Sequence, residues 1–401
     1  MLKERNFIHK SYGYCEKLGE PCGSLFVFLL LILPMAASCV GSCDVYTGIL
    51  DGGAPSGLSI ATWNLQALFD GQDDGIEYDE YSSSNGWNSE KYLARLNNFS
   101  KAISSVGKNG PDIIALIEVE NAGVLENLAN EYLTDSAYRY SFFAGLPGYS
   151  LGLGLLSRYP LTMARSHSSN IQGEVLPRPV AEVWIEPERQ PIAIFICHWK
   201  SKLGGDDATE TLRRAAARVI LRRIKTIKAE SPDMPILILG DLNENYDEFE
   251  RQDGELRCAL MPDSPEAAKI AGYENVSEDG EEEGEEQEPK TSVPQDFLVL
   301  SMEKPPFSSF FPGIDGVFYT PWEAELEKGS YYYNGGWESI DHFLLSEAFF
   351  NSAGWEFKDA AVVDTEPFVN SKGEPNTYNT RTGSGLSDHL PLLLTLENKS
   401  P

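Results

Sequence analysis

Ile236-Leu237-Ile238-Leu239-Gly240-Asp241-Leu242-Asn243 is the stretch that decides the fold. Its aliphatic half lacks polar alternation and reads as a strand buried on both faces. Where the chain leaves that strand, Asp241 and Asn243 face one way and Leu242 the other, because successive side chains of an extended chain alternate. A carboxylate and an amide are thereby aimed at one point while the leucine stays in the core.

The same pattern recurs along the chain. Apolar runs at 58–63, 113–117, 151–156, 181–185, 192–197, 343–345 and 390–396 also read as buried strands. Polar signatures sit at their tips: Thr62-Trp63-Asn64, Ile117-Glu118-Val119-Glu120, Cys197-His198-Trp199-Lys200, Ser339-Ile340-Asp341-His342 and Ser387-Asp388-His389. Asn64, Glu118, His198 and Asp241 follow the ends of their strands, whereas Asp341 and His389 precede the starts of theirs. For these groups to meet at one rim, some strands must run opposite to others. An α/β sandwich of two mixed, largely antiparallel sheets flanked by helices meets that condition, and a doubly wound parallel sheet does not.

Two amphipathic helices supply the flanks. One begins with Ser89 as cap and Glu90 in its first turn, and turns Leu93, Leu96, Phe99, Ile103 and Val106 inward. The other covers 211–228 with Leu212, Ala216, Val219, Ile220 and Ile227 inward. Its Arg213, Arg214, Arg218, Arg222, Arg223, Lys225 and Lys228 are expected to make a solvated basic face rather than a nucleic-acid surface.

With 401 residues, 42% of them hydrophobic, the chain can bury a large core. Its formal charge of −29 argues against a high-affinity, sequence-tracking DNA binder. A nuclease is not excluded, because phosphate binding is decided within a Debye length of about 8–10 Å of the site. Residues 25–38 form an apolar run shorter than the roughly 20 residues of a spanning helix but suited to the core of an export signal. The expected organisation is an export segment at 1–38, a tether at 39–57 and one domain at 58–398 carrying a long acidic insertion at 249–330. Within that insertion, 274–290 holds nine acidic residues and one basic residue and reads as a self-repelling loop.

Ala36-Ala37-Ser38-Cys39 resembles a bacterial lipoprotein cleavage box, with Ala36 where Leu is usual, so Cys39 is the expected lipidation site and simple secretion the competing reading. Removal of Cys15 and Cys22 and acylation of Cys39 would leave Cys43, Cys197 and Cys258, an odd set that cannot form a disulfide framework. Cys197 reads as a small buried residue.

Glu118 is a hard oxygen ligand of the sort Mg²⁺ or Mn²⁺ prefers. His389 has Asp388 beside it and is placed to meet Asp341 across the sheet, a general-base arrangement. Zinc is disfavoured by the lack of paired-Cys or His-rich spacing. A serine-hydrolase triad is disfavoured by the lack of a Gly-x-Ser-x-Gly elbow.

Taken in order, the six signatures resemble the endonuclease/exonuclease/phosphatase superfamily over 58–396, most closely an exported bacterial nuclease-like branch. The resemblance implies a four-layered α/β sandwich and divalent-metal phosphoesterase activity with Mg²⁺ or Mn²⁺ as cofactor. It implies Glu118 as main metal ligand, with Asn64 beside the metal and Asp388 a second ligand position. Asp241 would align the attacking water and Asn243 hold the phosphate. His389, oriented by Asp341, would take the water's proton, and His198 would donate to the phosphoryl oxygens. Two positions depart from relatives: Glu120 stands where some nucleases carry Arg, and Gln66 replaces an acidic residue.

The expectation is an exported, membrane-anchored or periplasmic or secreted phosphodiesterase, taken as a monomer, that cuts DNA or RNA. Lys200, Lys202, Arg178 and Arg381 would form its basic substrate-binding rim. A sphingomyelinase-like phospholipid phosphodiesterase or a phosphatase is the enzymatic alternative; Phe307, Phe310 and Phe311 would supply its apolar wedge, with core packing the favoured reading of those rings. A catalytically inactive surface-binding lipoprotein is the alternative of another class.

Overall fold

The computed structural model describes residues 57–399 except 108, 169, 172–173, 176, 274–294 and 308–309. The expected export segment, nearly all of the tether with Cys39 and Cys43, and the acidic run at 274–290 lie outside the described residues. Among the described residues, no helix is long and apolar enough to cross a membrane.

The strands in chain order are β1 (Leu58–Leu68), β2 (Ile113–Val119), β3 (Tyr140–Ala144), β4 (Gly152–Ser157), β5 (Leu161–His167), β6 (Asn170–Ile171), β7 (Glu174–Val175), β8 (Val180–Ile185) and β9 (Ile192–His198). They continue as β10 (Ile236–Asp241), β11 (Leu260–Pro262), β12 (Leu298–Ser301), β13 (Val317–Tyr319), β14 (Tyr331–Tyr333), β15 (Gly336–Glu338), β16 (Asp341–Leu345), β17 (Trp355–Val362) and β18 (Leu392–Asn398). The α-helices are α1 (Ser89–Ser105), α2 (Ala122–Asn127), α3 (Asp206–Glu230), α4 (Glu248–Arg251) and α5 (Pro265–Ile270).

Six strands form one sheet in the order β17-β18-β1-β2-β4-β3, and eight form a second in the order β11-β12-β13-β16-β10-β9-β8-β5. The central pairs β1/β2 and β9/β10 are parallel, while β18 runs antiparallel to β1 and β16 antiparallel to β10. That is the mixed arrangement the positions of the polar tips require.

Side-chain alternation builds the layers. Ile192, Ile194 and Ile196 of β9 and Leu237 and Leu239 of β10 meet Ile60, Ile113, Ala115 and Ile117 in a core between the sheets. The alternate residues Ala193, Phe195, Cys197, Ile236 and Ile238 face the other way, onto Ala217, Ile220, Ile224 and Ile227 of α3. Ala61, Trp63, Ile114 and Leu116 face outward from the first sheet onto Leu96, Phe99 and Ile103 of α1. The result is helix, sheet, sheet, helix, each apolar face covered.

Several expectations need correction. The α1 cap is Asn88, whose side chain accepts from the Lys91 amide at 3.1 Å, one residue before Ser89. Leu93 is exposed, and the inward stripe is taken by Tyr92, Arg95, Leu96, Phe99, Ala102 and Ile103. The arginines of α3 are largely spent on internal ion pairs rather than solvated. Arg213 is buried against Glu244 at 2.6 Å and Glu210 at 2.8 Å, and Arg223 pairs with Glu182 at 2.7 Å. Arg214 and Arg218 converge on Asp296 at 2.7 and 3.1 Å.

The region 249–330 is not merely an insertion either, since β11, β12 and β13 complete one edge of the second sheet. Phe311 there is fully buried against Tyr273 and Phe297, and Phe307 and Phe310 are partly buried against the core, which agrees with the favoured core-packing reading and not with an exposed wedge. Cys197 and Cys258 are buried free thiols, each pushed well above the ordinary range by burial.

Candidate active site

Three adjacent strands of the second sheet place functional groups on one rung: Asp241 of β10 is in register with His198 of β9 on one side and with Asp341 of β16 on the other. By alternation His198 shares a face with Ile196, Asp241 with Leu239 and Asp341 with Phe343, so all three emerge at the rim of the space between the sheets. Gly240 permits the close approach of β9 and β10. Its φ is +121°, and a Cβ there would lie 2.1 Å from the Cys197 carbonyl oxygen.

Asn64 comes to the same place from β1, sharing parity with Ile60 on the inter-sheet face. Glu118 should not. Ile114 and Leu116 face α1, and unbroken alternation would send Glu118 with them. A bulge corrects its direction: Glu118 has φ +67°, and pairing with β4 steps from Ile117↔Leu153 to Val119↔Gly152, leaving Glu118 as an extra residue. Opposite it, β1 bulges at Leu65, Gln66 and Ala67, where pairing jumps from Asn64↔Ile117 to Leu68↔Val119. The Ala67 amide donates to Glu118 Oε2 at 2.8 Å.

The buried guanidinium of Arg95 holds this double bulge. It donates to the carbonyls of Ala67 at 2.7 Å, Leu65 at 2.6 Å and Gln66 at 2.9 Å. The Tyr378 ring covers it at 3.9 Å. Carbonyls released from the strand ladder by the bulge thus find a donor, as buried backbone groups must.

The expected groups converge. Asn64 Nδ2 donates to Asp241 Oδ2 at 3.0 Å and to Glu118 Oε1 at 3.4 Å. His198 Nε2 lies 3.6 Å from Glu118 Oε1 and 3.5 Å from Asp241 Oδ2. His389 Nδ1 lies 2.8 Å from Asp341 Oδ2, which also accepts from Ser330 Oγ at 2.7 Å, and its Nε2 lies 4.0 Å from Asp241 Oδ2. The His389 backbone is pinned by Trp63 Nε1 on its carbonyl at 2.9 Å and by Ser387 Oγ on its amide at 3.1 Å.

Burial, opposed by Asp341, Asp388 and Asp241, leaves His389 raised to about 10. Burial first, then Asp341, pushes Asp241 up to about 7 against the lowering pull of His389, Arg178 and Asn64. His198 moves the other way, well below its ordinary value, through burial and the nearby charges of Arg178, His389 and Lys200.

The remaining expected residues are placed as follows. Asn243, at φ +51°, closes a turn on Asp241 with its amide donating to Oδ1 at 3.0 Å, and its side chain donates to the Trp199 carbonyl at 3.1 Å. Asp388 is half-buried and contributes charge to His389 and Tyr331. Arg178 is half-buried, donates to the Trp199 carbonyl at 2.5 Å and acts electrostatically on Asp241 and His198. Lys202 is not a free rim cation, since Glu248 takes its ammonium at 2.5 Å. Lys200 folds back onto the Ser201 carbonyl at 3.1 Å and the Leu203 carbonyl at 3.3 Å. Arg381 is exposed on a turn held by Asn379. Gln66 pairs with both backbone groups of Tyr378 at 2.9 and 3.2 Å.

Sequence reading missed Arg95, which lies within the α1 pattern, and Ser330. The run Tyr331-Tyr332-Tyr333 is visible in the sequence, but its stacking is not. Tyr331 stacks on His389 at 4.5 Å between ring centroids, and Tyr333, itself 57% exposed, stacks on Tyr331 at 6.0 Å.

The donor set fits a hard divalent cation. Carboxylates and an amide gather around Asp241, and among the described residues no lysine or arginine forms an ion pair with Glu118, Asp241, Asp341 or Asp388. Asp341 Oδ1 is also buried without a hydrogen-bond partner.

Residues 59–259 match the Endonuclease/Exonuclease/phosphatase family, and the chain belongs to that family. Its members are metal-dependent phosphoester hydrolases. No curated protein matches the chain. Among solved structures it is similar to an endonuclease/exonuclease/phosphatase family protein from Bacteroides thetaiotaomicron at 15% identity and TM-score 0.45, over 85% of this chain and 94% of that one. It is similar to D. rerio TDP2 complexed with single strand DNA product at 16% identity and TM-score 0.47, over 86% of this chain and all of that one. It is also similar to the human Nocturnin catalytic domain with bound sulfate at 14% identity and TM-score 0.43, over 86% and 95% of the two chains.

Proposed function

We propose that this chain is an exported, lipid-anchored phosphodiesterase that hydrolyses DNA or RNA by in-line attack of water, with Mg²⁺ or Mn²⁺ as cofactor. The observation that carries the reading is the His389–Asp341 pair at 2.8 Å, its free Nε2 turned to the Asp241 carboxylate. An imidazole oriented through Nδ1 and exposed to an acceptor-lined space through Nε2 is arranged to remove a proton from water.

Asp241 aligns that water by accepting a hydrogen bond. With a bound cation offsetting the Asp388 and Asp241 charges that raise it, His389 would be neutral and take the proton at Nε2, and Asp341 would stabilise the imidazolium that forms. His198, kept neutral by its surroundings, donates from Nε2 toward the phosphoryl oxygens as their charge grows. Glu118 and Asn64, with Asp388 as a second ligand position, would hold the cation, which supplies charge neutralisation and polarises the phosphate. Arg178 gives the rim its positive charge, and Asn243, on the turn after β10, would hold the phosphate.

A nucleic-acid substrate is favoured by the ladder His389, Tyr331, Tyr333, which offers an exposed ring face where a base beside the scissile phosphate can stack. Export and acylation at Cys39 rest on the apolar run and cleavage box at the amino terminus. The test is a panel of single- and double-stranded DNA, RNA and sphingomyelin vesicles, each with Mg²⁺ and with chelator. Chelator-sensitive cleavage of nucleic acid is the expected result, and headgroup release with intact nucleic acid would replace this reading.

A further inference from the structure

A second carboxylate cluster shares no residue with the group Asp241, Asp341 and His389. The segment Asp70-Gly71-Gln72-Asp73-Asp74-Gly75-Ile76-Glu77 carries acidic residues and no basic one. Carboxylate oxygens of Asp74 and Glu77 in this loop and of Glu120, just beyond β2, lie within 4.8 Å of one another. Two oxygens each about 2.4 Å from a common ion are at most about 4.8 Å apart, so the spacing suits calcium.

Crowded acids alone do not define a site, and Glu120 supplies the independent observation. It is 8% exposed, and its Oε1 is buried with no hydrogen-bond donor, while Oε2 accepts from the Asp70 amide at 2.6 Å. Among the described residues, no lysine or arginine forms an ion pair with Asp74, Glu77 or Glu120. A buried carboxylate with a donorless oxygen, grouped with two further carboxylates, is costly to ionise unless a cation supplies the missing charge. The Glu77 carboxylate is already fixed at the base of the loop, accepting from the amides of Asp74 at 2.6 Å, Gly75 at 2.8 Å and Ile76 at 3.0 Å.

We propose that Asp74, Glu77 and Glu120 form a calcium site that is distinct from the catalytic cluster and ties loop 70–77 to the end of β2. Water fills the remaining coordination positions, as calcium's six to eight ligands allow. Glu120 stands two residues beyond Glu118, so the ion steadies the strand end that carries the bulge.

The test is thermal unfolding of the whole protein with calcium alone, without substrate, in wild type, Glu118→Gln and the pair Asp74→Asn with Glu77→Gln. Calcium at one hundred times its dissociation constant should raise Tm by roughly 5 °C in wild type. The rise should persist in Glu118→Gln, which weakens the catalytic cation site, and vanish in the Asp74/Glu77 pair. No rise in wild type, a rise that survives in the pair, or one lost in Glu118→Gln would overturn the proposal. None of these readings depends on catalysis.

Discussion

Asp341 Oδ2 sits 2.8 Å from Nδ1 of His389 and is held there by Ser330 Oγ at 2.7 Å, so the catalytic imidazole is oriented from β16 while its backbone belongs to the segment before β18. This hydrogen bond ties the second sheet to the segment that leads into the first. Asp341→Asn keeps the shape but loses the charge that favours imidazolium. Its kcat should fall by about 10²–10⁴ with KM within about threefold. Steady-state kinetics on a labelled oligonucleotide check this, and a KM effect alone would assign Asp341 to binding instead.

Arg95 gives a second prediction. Arg95→Met should strand the carbonyls of Leu65, Gln66 and Ala67, each costing about 1–3 kcal/mol, so stability should drop by on the order of 3 kcal/mol or more in urea unfolding. Because the bulge also carries the Ala67 amide that holds Glu118, kcat should fall by about tenfold or more in the protein that remains folded.

These two residues mark what was legible in the sequence. The apolar strands and the polar tips were visible because a strand buried on both faces needs unbroken aliphatic runs and can change character only at its end. Opposed tips required opposed strands. The bulge was not visible: period-two reading turns Glu118 toward α1, and only the +67° backbone at Glu118 and the irregular pairing at Leu65, Gln66 and Ala67 bring it to the site. Arg213 and Lys202 read as surface cations, and Arg95 went unread, because their partners, distant glutamates and bulge carbonyls, are set by tertiary contacts. The three-residue strands β11 and β13 are too short to show a period, which made part of a sheet edge look like an insertion.

Glu182 predicts a pH dependence of stability. Burial would raise its pKa, but His167 at 2.6 Å, Arg223 at 2.7 Å and Trp184 at 3.0 Å together lower it to about 2. A carboxyl whose folded pKa lies below its unfolded value stabilises the fold above the unfolded value near 4.5. That contribution, on the order of 2–3 kcal/mol, is lost as pH falls from about 5 toward 2. Urea unfolding at pH 7 and pH 3 should show Glu182→Gln much less stable than wild type at pH 7, with the difference narrowing at pH 3. An equal difference at both pH values would contradict the assignment.

Tyr333 should act on binding. Tyr333→Ala removes the exposed end of the ladder and should raise KM for single-stranded DNA by about tenfold with little change in kcat, and Tyr333→Phe should restore it. A loss confined to kcat would show that the ring supports His389 rather than a base.

Cleavage of plasmid and labelled oligonucleotide by the purified protein with Mg²⁺, beside His389→Ala and with excess chelator, tests the convergent site most directly. The expected result is hydrolysis in wild type that chelator abolishes and that His389→Ala reduces by about 10²-fold or more. Equal rates in wild type and His389→Ala, or cleavage indifferent to chelator, would contradict it.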